Sequence, residues 1–280
     1  KYMLLELAIG DAYGAGFEYV STQLINASND LSGYVQHPRH KIKPGCYTDD
    51  TQMSLAIAET IVNQEPWTPE VLAKNFVTAF KRDPREGYAS SFYYFLLKIR
   101  DGNDFLTKII PTSDKSGAAM RAAPMGVFST VEKVIEAARI QAAITHNTPE
   151  GINAAIAAAL MSHYFIYQLG RKRDLGKFLE SHVSGEWSKP WHGKVKSKGW
   201  MSVRAAITAI ERNNSMSQLL KDCIKYTGDV DTVAAIALAA ASCSDEIAQD
   251  LPLHLTKTLE NGEYGRDYII ELDNKLMALV

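Results

Sequence analysis

The stretch YTDDTQMSLAIAE, residues 47–59, decides the fold class. Two adjacent carboxylates, Asp49 and Asp50, stand between two threonines, and an apolar run follows at once. Met53, Ala56, Ile57, Thr60 and Ile61 fall at i, i+3, i+4, i+7 and i+8, the period of one helix face. The same period recurs in both directions. Ile9 follows Leu5 by four; Val71, Leu72, Phe76, Val77 and Phe80 mark another helix, and Val131, Val134, Ile135 and Ala138 a third. Ile152, Ala155, Ile156, Ala159, Leu160, His163, Tyr164 and Tyr167 form a longer stripe; Val233, Ile236, Ala237, Ala240 and Ala241 form a late one. No run alternates apolar and polar residues between hairpin turns, as a half-buried strand would. The expected fold is all-α, an orthogonal bundle of many helices.

Punctuation falls between these segments. GAGFE (14–18), HPRHKIKPG (37–45), RDPREG (82–87) and PTSDKSG (111–117) read as loops. SGEWSKPWHGKVKSKGW (184–200) holds three Trp, four Lys and His192. Basic and aromatic residues together can grip nucleic acid, but a solvated loop anchored by its aromatics is the preferred reading. The whole chain carries 30 basic and 32 acidic residues, a net charge of -2, which argues against nucleic acid or an anionic membrane as a partner. Three irregularly spaced cysteines make no disulfide framework and fit a reducing, cytoplasmic setting. No apolar run is long enough to span a bilayer. With 280 residues and no long linker, one domain over 1–280 is expected, and a monomer.

A second acidic motif, TGDVDTVAAIALAAAS (227–242), repeats the device of the first: two Asp and a Thr directly before an apolar-periodic helix. Helix capping explains one such residue per helix, with the helix dipole adding about 0.3–1 kcal/mol. Two per helix exceed what a cap requires. If the two helix starts meet, four carboxylates converge and repel, and a cation resolves the conflict. Every candidate ligand is an oxygen, so the ion is a hard one: Mg2+, Mn2+ or Ca2+. Four carboxylates and two threonine oxygens can hold two ions about 3.5–4 Å apart; composition alone leaves one or two open.

Five stretches, in order, resemble the ADP-ribosylglycohydrolases, an all-helical family that includes the hydrolase activating dinitrogenase reductase. They are GDAYGAGFE (10–18), YTDDTQMSLAIAE (47–59), KRDPREGYASSF (81–92), SGAAMRAAPMG (116–126) with THNTPEGINAAIAAAL (145–160), and GDVDT (228–232). The third and fourth look closest to the branch acting on serine-linked ADP-ribose. The resemblance implies a binuclear magnesium or manganese centre held by Thr48, Asp49, Asp50, Asp229, Asp231 and Thr232. It puts Glu18 beside the metals, as acid/base or gate, and Asp50 in the catalytic set as well as the ligand set. It implies an ADP-ribosylated protein or a small ADP-ribose conjugate as substrate, with hydrolysis of its glycosidic bond. Backbone N–H groups at Ser116, Gly117 and Ala118, ahead of an expected helix, would meet the diphosphate, and His146 the distal ribose.

Two departures from the family stand out. Asp114 occupies a place where relatives carry an aromatic, and would repel a diphosphate unless turned away or offset by Lys115. AIALAAA (235–241) has Ala where the family often has Gly, which would narrow the site. These departures keep an ADP-ribose reader without turnover as the alternative function; a helical protein whose acidic motifs merely cap is the other. Val230 is expected to point away from the metals. Arg121 reads as an ion-pair partner and His163 as a core histidine. Phe92, Tyr93 and Tyr94 are core by spacing, with adenine stacking as the other use.

Overall fold

The computed structural model describes residues 2–280, and among these the regular structure is helical. Fourteen α-helices follow one another: α1 (Leu4–Ala15), α2 (Thr22–Ser28), α3 (Asp49–Val62), α4 (Pro69–Arg82), α5 (Ser90–Lys98), α6 (Gly102–Lys108), α7 (Val131–Ala143), α8 (Pro149–Ile166), α9 (Leu175–Glu180), α10 (Gly199–Arg212), α11 (Met216–Lys225), α12 (Val230–Ala241), α13 (Leu253–Thr258) and α14 (Arg266–Met277). Extended pairing is limited to isolated bridges such as Thr112 with His146 and Val195 with Gly228. Among the described residues no helix is long and apolar enough to cross a membrane.

Helix α12 is the axis. All twelve of its residues are buried, as its unbroken Ala, Val, Ile and Leu content demands. Helix α1 lies against it with eleven buried residues. The two backbones approach closely because α1 carries glycine at the crossing. A Cβ on Gly10 would sit 2.7 Å from the Ala234 carbonyl oxygen, and one on Gly14 would overlap the Asp231 Cα. The small residues that allow this approach stand on α1, where they face the backbone of α12 at Asp231 and Ala234. Helices α3, α8, α10 and α11 complete the layer around α12.

Six helices begin with a Ser, Thr or Asp side chain accepting a backbone N–H two or three residues on: Ser21, Thr68, Asp101, Thr130, Thr148 and Ser215. Helices α3 and α12 do not. Thr48 and Asp229 occupy the capping positions and make no capping hydrogen bond. The two acidic motifs are thus free of the role that accounts for such residues elsewhere in this chain.

Some expectations need correction. GAGFE is not wholly loop, since α1 runs on to Ala15. No α-helix follows Ser116: residues 116–121 are turns, then a 3-10 helix spans Ala123–Val127. Pro124 lacks the N–H an α-helix would need, and Gly126 must be glycine because Ser162 and His163 of α8 press on it. Arg121 is buried without a carboxylate and is not an ion-pair partner; Gln141 and Thr145 receive its hydrogen bonds. His163 is buried, donating from Nδ1 to the Gly126 carbonyl at 3.0 Å. Phe92 and Tyr93 pack on the core, whereas Tyr94 is exposed.

Candidate metal centre

The close crossing of α1 and α12 brings the end of one helix to the start of the other, and α3 points its own start at the same spot. Carboxylate oxygens of Asp11, Asp50 and Asp231 all lie within 4.8 Å of one another, as do those of Glu18, Asp229 and Asp231. Asp231 belongs to both groups and joins them. Asp50 Oδ2 and Asp231 Oδ1 are buried with no hydrogen-bond partner among the described residues. A buried, unpaired carboxylate oxygen is costly to hold, and two aimed into one cluster fit a cation that the donor set can satisfy with oxygen alone.

Electrostatics agree with this crowding. Burial pushes the Asp50 and Asp231 carboxyls well above the usual carboxylate range, and neighbouring carboxylates push them further. Glu18 is raised to about 7, by burial first and then by Asp229 and Asp11. Val230, between the two aspartates of α12, is fully buried in the core.

Asp11 was not singled out in the sequence, and it does two things. Its Oδ2 accepts from the Thr48 and Thr51 backbone N–H groups at 2.9 and 3.1 Å, and from the Thr51 hydroxyl at 2.6 Å. Its Oδ1 accepts from the Thr48 hydroxyl at 2.6 Å. Helix α3 is thereby capped from α1, which leaves its own Asp49 and Asp50 for other partners. One signal was available: a lone Asp, beside a Gly, inside the apolar helix LLELAIGDAYGA.

Asp49 belongs to neither of these carboxylate groups and is only partly buried, though it is the largest charge acting on its neighbour Asp50. It still feels their charge, since Asp11, Glu18 and Asp229 raise its pKa after burial does. The loop 83–88 closes over it. Gly87 has φ +112°, and a Cβ there would lie 2.6 Å from Thr48 Cβ and 2.7 Å from Asp49 Oδ1. That loop is clamped by Arg85, which donates to Tyr47 O at 2.7 Å and to Glu260 Oε1 and Asp83 Oδ2, each at 2.5 Å. Glu260 also accepts from Tyr47 N–H at 2.9 Å. Burial raises the Asp229 carboxyl as it does that of Asp50, and the Thr232 hydroxyl beside them offsets part of each rise.

Two loops brace the remaining ligands. The Glu18 carbonyl accepts from His37 Nε2–H at 2.8 Å, and the Tyr19 carbonyl accepts from Arg39 at 2.7 Å. Val195, buried, exchanges hydrogen bonds with Thr227 O and Asp229 N, both at 3.0 Å. The tryptophan-rich stretch is indeed an anchored surface loop: Trp187 is buried, and Lys189, His192, Lys194 and Lys196 are exposed.

The loop 114–118 borders the cluster, because the Ser116 hydroxyl donates to Asp229 Oδ2 at 3.2 Å. The Ser116 N–H is already committed to Ser197 O at 3.1 Å, so it is not an available anion donor. The N–H groups of Gly117 and Ala118 have no hydrogen-bond partner among the described residues. His146 packs beside Gly117, its Nε2 3.2 Å from where a Cβ would be. Asp114 is ion-paired with Lys198, which holds its carboxyl below the usual range, and the Lys115 charge adds a smaller offset in the same direction.

Comparison with known proteins identifies the family. The family model for ADP-ribosylglycohydrolase matches residues 2–280. ADP-ribosylhydrolase ARH3 of Xenopus tropicalis is 28% identical over 170 residues, 58% of this chain and 48% of that protein. ADP-ribosylarginine hydrolase Tri1 of Pseudomonas putida is 23% identical over 270 residues, 85% of this chain and 68% of its own length. The chain thus spans about half of the first of these relatives and about two thirds of the second. A solved structure, an ADP-ribosylglycohydrolase-related protein complex, superposes with a TM-score of 0.74 at 21% identity, over 99% of this chain and 95% of that one, and so shares the fold. With a family match along all the described residues and a helical fold to go with it, the chain belongs to the ADP-ribosylglycohydrolase family.

Proposed function

We propose that this chain, read as one domain, is a metal-dependent hydrolase that cleaves the glycosidic bond between ADP-ribose and an acceptor, a protein side chain or a small conjugate. The observation that carries the reading is the pair of buried, unpartnered oxygens, Asp50 Oδ2 and Asp231 Oδ1, at two helix starts that do not use them as caps. Thr48, Asp49, Asp50, Asp229, Asp231 and Thr232 would hold two Mg2+ or Mn2+ ions, with Asp11 beside them. Such ions, when bound, polarise sugar hydroxyls or water at the anomeric carbon.

The remaining chemistry belongs to the chain. Departure of the acceptor builds positive charge on the ribose, which Asp50 and the neighbouring carboxylates stabilise. Glu18, partly buried beside the Asp229 and Asp231 carboxylates, is placed to give a proton to the leaving oxygen or nitrogen and then to take one from water. The Gly117 and Ala118 N–H groups face the diphosphate, and His146 the distal ribose. The test is release of ADP-ribose from Arg-linked, Ser-linked, poly- and O-acetyl-ADP-ribose substrates, with Mg2+ or with EDTA. Turnover that EDTA abolishes is expected. Binding of ADP-ribose without turnover of any substrate would make the protein a reader, and full activity in EDTA would refute the metal mechanism.

A further inference from the structure

Behind the 114–118 loop lies a buried polar chain. Arg121 is 1% exposed, with its guanidinium 4.4 Å from the centre of the Phe76 ring. Its Nε donates to Gln141 Oε1 at 2.6 Å, and one terminal nitrogen donates to Gln141 O at 3.1 Å and Thr145 Oγ1 at 2.9 Å. Gln141 Nε2 in turn donates to Ala118 O at 3.0 Å, which ties the anion-facing loop to the same arginine. Thr145 Oγ1 lies 2.6 Å from His146 Nδ1.

Arginine has donors only, so Thr145 Oγ1 must accept from it. The threonine hydroxyl then has one proton to give, and among the described residues its only acceptor is His146 Nδ1. Were Nδ1 protonated, a buried hydroxyl would have nowhere to donate. The imidazole is therefore neutral, with its proton on Nε2. That nitrogen has no hydrogen-bond partner among the described residues and lies on the Gly117 side of the ring.

We propose that Arg121, acting through Thr145, is a positioning residue that locks His146 as a neutral Nε2–H donor aimed at an acceptor oxygen of the bound ADP-ribose moiety. The ligand part rests on the function proposed above; the tautomer does not. Burial and the Arg121 charge lower the His146 pKa to about 3, which keeps the ring neutral at working pH. His146 then serves recognition and transfers no proton, and the acid/base work stays with Glu18.

The test is nitrogen-15 NMR of the imidazoles in the full chain, first without ligand. The expected spectrum places His146 Nδ1 among unprotonated imidazole nitrogens and Nε2 among protonated ones, unchanged from about pH 5 to 8. Thr145→Val should mix the two tautomers and weaken ADP-ribose binding about tenfold; Thr145→Ser, which restores the hydroxyl, should recover both. ADP-ribose should shift the Nε2–H resonance in the wild type. A protonated Nδ1, or a His146 spectrum untouched by Thr145→Val, overturns the relay. ADP-ribose that binds without moving Nε2–H overturns the donor contact. A protein that binds no ADP-ribose, yet shows the fixed tautomer, refutes the proposed function and upholds the relay.

Discussion

Removing divalent cations with EDTA should change how stability depends on pH, and the structure sets the size. The Glu18 carboxyl rises from 4.5 to about 7 in the folded chain, through burial first and then Asp229 and Asp11. A raised folded-state pKa means that the fold prefers the protonated form. The stability this group contributes is whole below about pH 4.5 and is lost as pH rises through about 7. That span corresponds to roughly 3 kcal/mol. With an unfolding entropy of about 2.1 cal/mol/K per residue over 280 residues, it amounts to roughly a 5 °C fall in Tm. A cation among the carboxylates removes their mutual repulsion, and at about a hundred times its Kd adds roughly 2.7 kcal/mol of its own. Thermal melts with Mg2+ and with EDTA should therefore nearly coincide at about pH 5 and separate by roughly 5 °C or more at about pH 8. Glu6 and Asp273, raised to about 7 and about 6, neighbour each other where α14 meets the start of α1, and lower both curves alike. The difference between the curves isolates the cluster. Two curves that run parallel across this range would refute the cation site.

Three further outcomes are expected. Glu18→Gln should keep the part of the Mg2+-induced rise in Tm that comes from cation binding, yet lose turnover by a factor of about 10² or more, read as kcat in the ADP-ribose release assay; an unchanged kcat removes Glu18 from the chemistry. Gly87→Ala puts a methyl against Thr48 Cβ and Asp49 Oδ1 at a backbone angle that alanine avoids. It should lower stability by about 2 kcal/mol and weaken Mg2+ binding at least about tenfold by calorimetry. Arg85→Ala leaves Glu260 without its guanidinium and should lower urea stability by about 2–3 kcal/mol, since the pair is mostly shielded from water; a loss under about 0.5 kcal/mol would place the clamp among ordinary surface pairs.

The helices were legible because burial of one face imposes a 3.6-residue period on the chain, and α3, α4, α7, α8 and α12 lie where that period falls. The two acidic motifs were legible too, since adjacent Asp residues before an apolar run exceed what capping needs. Asp11 was not. Its role depends on Gly10 and Gly14 drawing α1 onto α12, a contact between residues more than two hundred positions apart. The ion-pair expectation for Arg121 gives way for a related reason: Gln141 and Thr145, from another part of the chain, satisfy it with neutral groups. The helix expected after Ser116 failed because small residues carry weak local preference, and α8 packing against Gly126 decided the outcome.

By itself, then, the sequence determined the all-helical class, the family, and the residue types a cation would need. Periodicity and composition are local properties, and each is written in a few consecutive residues. Tertiary structure decided which carboxylates meet. It set Asp231 in both groups, assigned Asp11 to cap α3 from a distance, held Asp114 on Lys198, and committed the Ser116 N–H to Ser197. Those outcomes depend on distances of a few ångströms between segments remote in sequence, and only the packing of glycine-bearing α1 on alanine-rich α12 fixes them.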